Sequence, residues 1–430
     1  MATQSRRAAV LLLIILGCLL GASLALFRAP DNGGRNAAQQ GSDAAEGVND
    51  TRSIVTVTDL LGRKVEVRVP VRRVILGEGR QLYLVAALDT ANPIERIVGW
   101  RKDMIQADPD TYRRYLKQFP AIADIPTFGG FEDGTFDIEQ AIAQKPDVIF
   151  LKIEAQRATE DSRYIEKLHA LGIPVVYIDF RHYPIENTEP TMRLFGKLFG
   201  KESRADEFIR FRAEQIRRVT DVIDARKPAR PKVFIERIGG YTQDCCLSFG
   251  NENFGRFVEL AGGDNIGKQF IPGTFGQLNP EQVVASNPDH VVVTSANWEA
   301  YAPGGSWIGV GPGADLKEAA RKLEAYTARP AYAGTTAQQR RAFHAIWHQF
   351  YNSPYEFIAI QQLAKWFHPE LFAELDPDAG FRALHERFLP FGHEPGYFVS
   401  LNANPSNPAA SAASAASASL PGQANAEVRP

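Results

Sequence analysis

The chain has 430 residues, with 48 Lys and Arg against 50 Asp and Glu and a formal net charge of −2. That balance argues against a nucleic-acid partner and against binding to an acidic membrane surface through a polybasic face. Only three cysteines are present and none forms a Cys-x-x-Cys pair, so neither a zinc cluster nor a thioredoxin-type motif is available.

At the N-terminus, Arg6 and Arg7 precede an uncharged apolar run over residues 8–27, the pattern of a secretory signal. Ser23-Leu24-Ala25 offers a cleavage site. Two other readings stay open: a lipid on Cys18, and an uncleaved anchor, since about 20 apolar residues can span a bilayer. All three place the rest of the chain in the periplasm or outside the cell. Residues 1–27 are thus expected to be a signal peptide or anchor. Residues 28–52, rich in Gly, Asn, Ala and Gln, read as a flexible linker. Residues 402–430, largely Ala, Ser and Pro, read as a disordered tail. The intervening stretch is long for one core and predicts two lobes.

The folded region opens with TVTDLLGRKVEV, which alternates about a Leu-Gly turn and predicts a hairpin. Strands and helices then alternate. RRVILG, IERIVGW, DVIFL and IPVVYIDF read as strands. RQLYLVAALD, DIEQAIAQ and YIEKLHALG read as helices, with Asp137 a candidate N-cap and Gly172 a stop. This rhythm predicts an α/β lobe with a mainly parallel sheet over residues 53–202. Residues 203–226 carry Phe208, Phe211, Ile216, Val219 and Ile223 at near-helical spacing and predict one long helix. The alternation restarts over 227–401 with KVFIERI, NFGRFVELAGG, EQVVASN and DHVVVTS. The predicted fold is therefore two α/β lobes joined by a rigid helix, with a cleft between them.

Ligands of open parallel sheets bind beyond the carboxyl ends of the strands. There the sequence presents, in order, Arg80, Arg101, Lys152, Arg181 with His182, and Arg237, followed by Tyr241 and Trp298. Repetition of cations at equivalent points predicts an anionic ligand, since Arg binds carboxylate, phosphate or catecholate oxygens through a planar fork. Tyr241, Trp298, Trp100 and Trp307 are candidates for flat walls. His344 and His348 stand at i, i+4 on an expected helix without a glutamate between them, which lacks the metalloprotease pattern. His348 and Tyr351 are pocket candidates. No catalytic residue and no resident metal ligand is assigned, because no nucleophile elbow or phosphate-binding glycine loop is visible. Cys245 and Cys246 are adjacent, and a vicinal disulfide and two buried thiols are both open readings. The segment 301–343 is expected to be a lid or an ordered loop over the second lobe.

One phrase occurs twice. FDIEQAIAQKPDVIFL and LNPEQVVASNPDHVVVT each run Glu-Gln, apolar helix, Pro-Asp, strand, with Glu139 and Glu281 at the two starts. Together with VTVTDLLGRKVEV…RRVILG, the long helix and FVELAGGDNIG, these motifs resemble the periplasmic substrate-binding proteins of ABC importers for iron–siderophores, haem and vitamin B12. The resemblance covers roughly residues 55–369. It implies a transported ligand and no cofactor, an anionic ferric chelate as cargo, an ABC importer permease with its ATPase as partner, and a monomer. It also implies that Glu139 and Glu281 dock each lobe on the permease. Nickel, haem or cobalamin as cargo, a two-lobed hydrolase, and a sensor are the competing readings.

Overall fold

The computed structural model describes residues 51–241 and 245–402. The expected signal or anchor at 1–27, residues 28–50 of the expected linker and 403–430 of the expected tail lie outside the described residues. Arg52, at the end of that linker, donates to the Asp147 carboxylate at 2.7 Å. No described helix is long and apolar enough to cross a membrane.

A hairpin comes first: β1 (Ser53–Thr58) pairs antiparallel with β2 (Lys64–Val69). The N-terminal sheet follows from β3 (Val74–Leu76), β4 (Ile97–Arg101), β5 (Thr127–Phe128), β6 (Val148–Lys152) and β7 (Val175–Ile178). Its spatial order is β5-β4-β3-β6-β7 and every pairing is parallel. Both faces are covered, as a parallel sheet requires. Val74, Leu76 and Phe150 point into the main core, whereas Ile75, Ile149 and Leu151 join a second cluster with Phe128 and Phe136.

The C-terminal sheet contains β8 (Lys232–Glu236), β10 (Asp264–Asn265), β12 (His290–Ser295), β13 (Phe343–Trp347) and β14 (Phe398–Ser400), in the order β10-β8-β12-β13-β14. Only β14 runs antiparallel. A small ribbon pairs β9 (Leu247–Phe249) with β11 (Phe275–Gln277). Between the two sheets in sequence runs the helix Glu202–Arg226. At 1.5 Å per residue it extends about 37 Å. Its buried stripe includes Ala205, Phe208, Phe211, Arg212, Gln215, Val219 and Ile223. Phe208 packs edge-on against Phe388, and Phe211 against Phe357.

The repeated phrase folds the same way twice. Asp137 caps the helix Ile138–Ala143 by accepting from the Gln140 amide at 2.9 Å. Asn279 caps Pro280–Ser286 by accepting from the Glu281 amide at 2.9 Å, and Gln282 reaches back to the Asn279 amide at 2.9 Å. Each cap satisfies backbone donors that would otherwise be orphaned.

Three regions differ from expectation. His344 lies on β13 and His348 opens the 3-10 turn that follows, so they share no helix. The helix Pro184–Phe199, which contains Pro190, does not appear in the hydrophobic pattern as read above. The segment 301–343 is built into the C-terminal lobe instead of lying over it. Ile308 and Val310 are buried, the amides of Ile308 and Gly309 donate to Ser295 Oγ at 3.0 and 3.2 Å, and Leu316–Tyr326 is helical.

Candidate functional site

Strands β3, β4, β6 and β7 deliver Arg80, Arg101, Lys152 and Arg181 to one edge of the N-terminal sheet. The chain order reverses at β3, flanked by β4 and β6, which is where such sheets bind ligands. The turn after β3 is tight enough to need glycine: a Cβ at Gly79 would collide with the Arg101 carbonyl oxygen. That turn brings Glu78, 1% exposed, beneath the cations. Arg80 pairs with Glu78 and holds Asp103 at 2.9 Å. Arg181 lies 3.6 Å from Glu78 and 4.0 Å from Glu154. Arg101 pairs with Glu132 at 3.2 Å and Asp133 at 3.5 Å, and Lys152 with Glu132 at 2.9 Å.

Glu78 therefore sits in opposing fields. Burial raises its pKa, but Arg80, Arg181, Lys152 and Arg101 outweigh burial and hold the carboxyl at about 2. Asp103 goes the other way: burial, together with repulsion from Glu78, raises it despite Arg80.

The C-terminal lobe answers with Arg237 after β8, Trp298 after β12, and His348 and Tyr351 after β13. Arg237 lies over the Phe275 ring at 4.2 Å. Among the described residues no carboxylate pairs with it, and its buried Nε has no hydrogen-bond partner. Tyr241 is exposed and stands edge-on to Trp298 at 6.3 Å and beside Tyr301 at 5.9 Å. Trp298 is buried against His348, ring centroids 5.1 Å apart. His348 Nδ1 is 3.0 Å from Thr294 Oγ1, and burial, reinforced by Arg237, Arg80 and Arg181, keeps its imidazole neutral. Tyr351 is buried among Phe249, Phe254 and His348. Burial raises its phenol, yet Arg181, Arg237 and Arg80 overcome that and bring the pKa down to about 8. Arg181 lies over its ring at 5.6 Å.

Contacts between the lobes flank this cluster. Asn253 donates to the Arg181 carbonyl at 2.6 Å, and His182 meets Glu252 at 3.6 Å and Thr274 at 3.3 Å. Beyond, Asn297 donates to Asp110 at 3.0 Å, Gln349 to the Ala107 carbonyl at 2.6 Å, and Arg114 reaches Glu394 at 3.3 Å.

The structure thus gathers Arg80, Arg181, Arg237, His348 and Tyr351 into one field, with Tyr241 and Trp298 beside them. Arg101 and Lys152 form a second group around Glu132. Trp100 is a core residue, 1% exposed. His182 belongs to the flanking contacts. The acids Glu78, Asp103 and Glu132 were missed from sequence, although Glu78 stands two residues from Arg80 and Asp103 two from Arg101. Glu139 and Glu281 are exposed, and Glu139 pairs with Lys167. Cys245 and Cys246 are disulfide-bonded to each other. Their carbonyls accept from Gln277 Nε2 at 2.8 Å and the Leu278 amide at 3.0 Å. Among the described residues no group of three or more His, Cys, Asp or Glu is arranged to hold a metal ion. A groove of about 1120 Å³ beside the hairpin and a cavity of about 140 Å³ near Trp366 contain none of these side chains.

The periplasmic binding protein family model matches residues 85–345. The chain is 28% identical over 174 residues to the vitamin B12-binding protein of Yersinia pestis (strain Pestoides F), covering 40% of this chain and 57% of that one. It therefore spans little more than half the length of the curated relatives it matches. Among solved structures, the TroA-like periplasmic binding protein FepB from Veillonella parvula is similar with a TM-score of 0.73 and 28% identity, over 80% of this chain and 99% of that chain. The molybdate periplasmic binding protein MolA of Haemophilus influenzae shares the fold, with a TM-score of 0.60 and 20% identity over 79% and 99%.

Proposed function

Because this chain belongs to the periplasmic binding protein family, we propose that it captures an anionic ferric chelate in the periplasm and delivers it to an ABC importer. The observation that carries the reading is the convergence of Arg80 and Arg181 from one lobe with Arg237 from the other on the buried Tyr351. A ligand anion placed there meets three guanidiniums in a water-poor setting, where charge-assisted hydrogen bonds are strongest. Tyr241, Tyr301 and Phe275, all exposed at the C-terminal side, would hold its organic body. The role is binding and handover, with the ligand as cargo. In this reading the chain acts as a monomer, and Glu139 and Glu281 dock the permease.

A second reading has its own support. Every cation of the N-terminal edge already faces a carboxylate, which leaves Arg237 as the uncompensated one of the five strand-end cations. That favours a bulky cargo of low charge, and the Yersinia relative is named for vitamin B12. Titration of tryptophan fluorescence with ferric catecholate, hydroxamate and carboxylate chelates, haem and cobalamin separates the two. Saturable quenching by one ferric class, weakened by Arg237→Ala, supports the first reading. Quenching by cobalamin alone would replace it with the second.

A further inference from the structure

Arg212 lies at mid-helix on Glu202–Arg226 and is 5% exposed. Its Nε donates to Glu356 Oε1 at 2.6 Å, and its Nη2 donates to the Pro184 carbonyl at 2.8 Å and the Ile185 carbonyl at 3.4 Å. Glu356 is fully buried at the start of the helix Glu356–Phe367. An ion pair so deeply buried is weak evidence for net stability, because desolvation offsets the attraction. Its placement says more. Pro184 follows Arg181 by three residues, and Glu356 follows Tyr351 by five.

Both short connections are stiff. Asp179 accepts from the amides of Arg181, His182 and Tyr183 at 2.9, 2.7 and 2.9 Å and from Asn187 Nδ2 at 2.7 Å, so residues 179–187 move together. On the other side residues 349–360 are buried throughout, Asn352 donates to Gln349 at 2.8 Å, and Tyr355 packs edge-on against Tyr83. One guanidinium on the long helix thereby grips the N-terminal lobe just behind Arg181 and the C-terminal lobe just behind Tyr351.

We propose that Arg212 is a positioning residue for the cleft, setting the separation of Arg181 from Tyr351 and with it the shape of the ligand site. That Arg181 and Tyr351 contact cargo rests on the function proposed above. That Arg212 holds them in register does not.

The test reads Tyr351 directly. Its phenol faces Arg181, Arg237, Arg80, Asn352 and the neutral His348. Phenolate absorbance of the whole protein against pH gives a step near 8, identified by its loss in Tyr351→Phe; Tyr83, Tyr115, Tyr177, Tyr326, Tyr332, Tyr355 and Tyr397 are all raised above the ordinary range. The Arg212→Met, Glu356→Met double variant removes both charges and leaves neither one unpaired. The step is expected to move up by about one unit as Arg181 drifts from the ring. Glu356→Gln, which keeps the volume, gives a smaller shift in the same direction and serves if the double variant does not fold. An unmoved step in a folded variant overturns the inference. With a cargo in hand, affinity falls by about tenfold in the same variants. A moved step in a protein that binds none of the chelates, haem or cobalamin would sink the proposed function and leave the positioning role standing.

Discussion

Arg181 and Tyr351 meet across the cleft, one from each lobe, with the guanidinium carbon 5.6 Å from the ring centroid. On the proposed function, the phenol, brought down to about 8, and an anionic cargo would compete for the same arginines. Below that pH the neutral phenol leaves the guanidiniums available. Above it the phenolate occupies them. Affinity for an anionic chelate is expected to fall by roughly threefold to tenfold between pH 7 and 9, and Tyr351→Phe should flatten the profile. Tighter binding at high pH would instead make the phenolate a direct ligand of the metal.

The arginines are unequal. Arg101 is shared between Glu132 and Asp133, whereas Arg237 faces an aromatic ring. Arg237→Ala should weaken cargo binding by about 1.5–3 kcal/mol, the range for a hydrogen bond to a charged group. Arg101→Ala should cost under about 1 kcal/mol. Fluorescence titration of both variants checks the order, and equal losses would refute it.

How much of this was legible in the sequence follows the range of each interaction. The repeated helix-then-strand phrase could be read because Asp137 and Asn279 cap within three residues of themselves. The strand-end cations could be read because sheet topology puts them on one edge. Their partners could not: Arg80 finds Asp103 across 23 residues and Arg212 finds Glu356 across 144. The helix that the sequence predicts around His344 is absent for a physical reason. All five residues of β13 are buried, so no alternation betrays a strand, and the i, i+4 spacing of the histidines fell there by accident. The helix Pro184–Phe199 stayed hidden behind Pro190, which reads as a breaker.

Histidine burial sets the acid limit. His290 Nδ1 is 3.0 Å from His344 Nε2, and His344 Nδ1 is 2.9 Å from Ser400 Oγ. Burial lowers His290 to about 4 and His385 to about 3, and places His344 and His348 well below the ordinary value. A depressed folded pKa means that the unfolded chain takes up the proton first. The stability these groups contribute is complete above about pH 6.5 and is lost as pH falls towards the folded values. Asp108, lifted by burial to about 6, and Asp103, Glu236, Glu356 and Asp378, also raised by burial, work in the opposite sense, but the lowered histidines, His368 and His393 among them, outnumber them. His290 alone should cost about 1–2 kcal/mol at pH 5. Thermal unfolding at pH 7 and pH 5 should show the lower Tm at pH 5, and equal values would contradict this.

Glu139 and Glu281 stand exposed on matching helices. Replacing both by Ala should leave cargo affinity unchanged and abolish most delivery in reconstituted vesicles carrying the importer. Undiminished delivery would rule out the docking role.

Cys245 and Cys246 close a ring over adjacent positions. A crosslink this short removes little freedom from the unfolded chain, so reduction by a phosphine should cost only about 1 kcal/mol in denaturant unfolding. Its consequence lies in chemistry instead of stability. The two sulfurs consume each other, and the described residues contain no other cysteine. Once folded in an oxidising compartment, the described residues thus offer no thiol for exchange with a neighbouring copy, and the pair is spent within one turn instead of bridging two molecules.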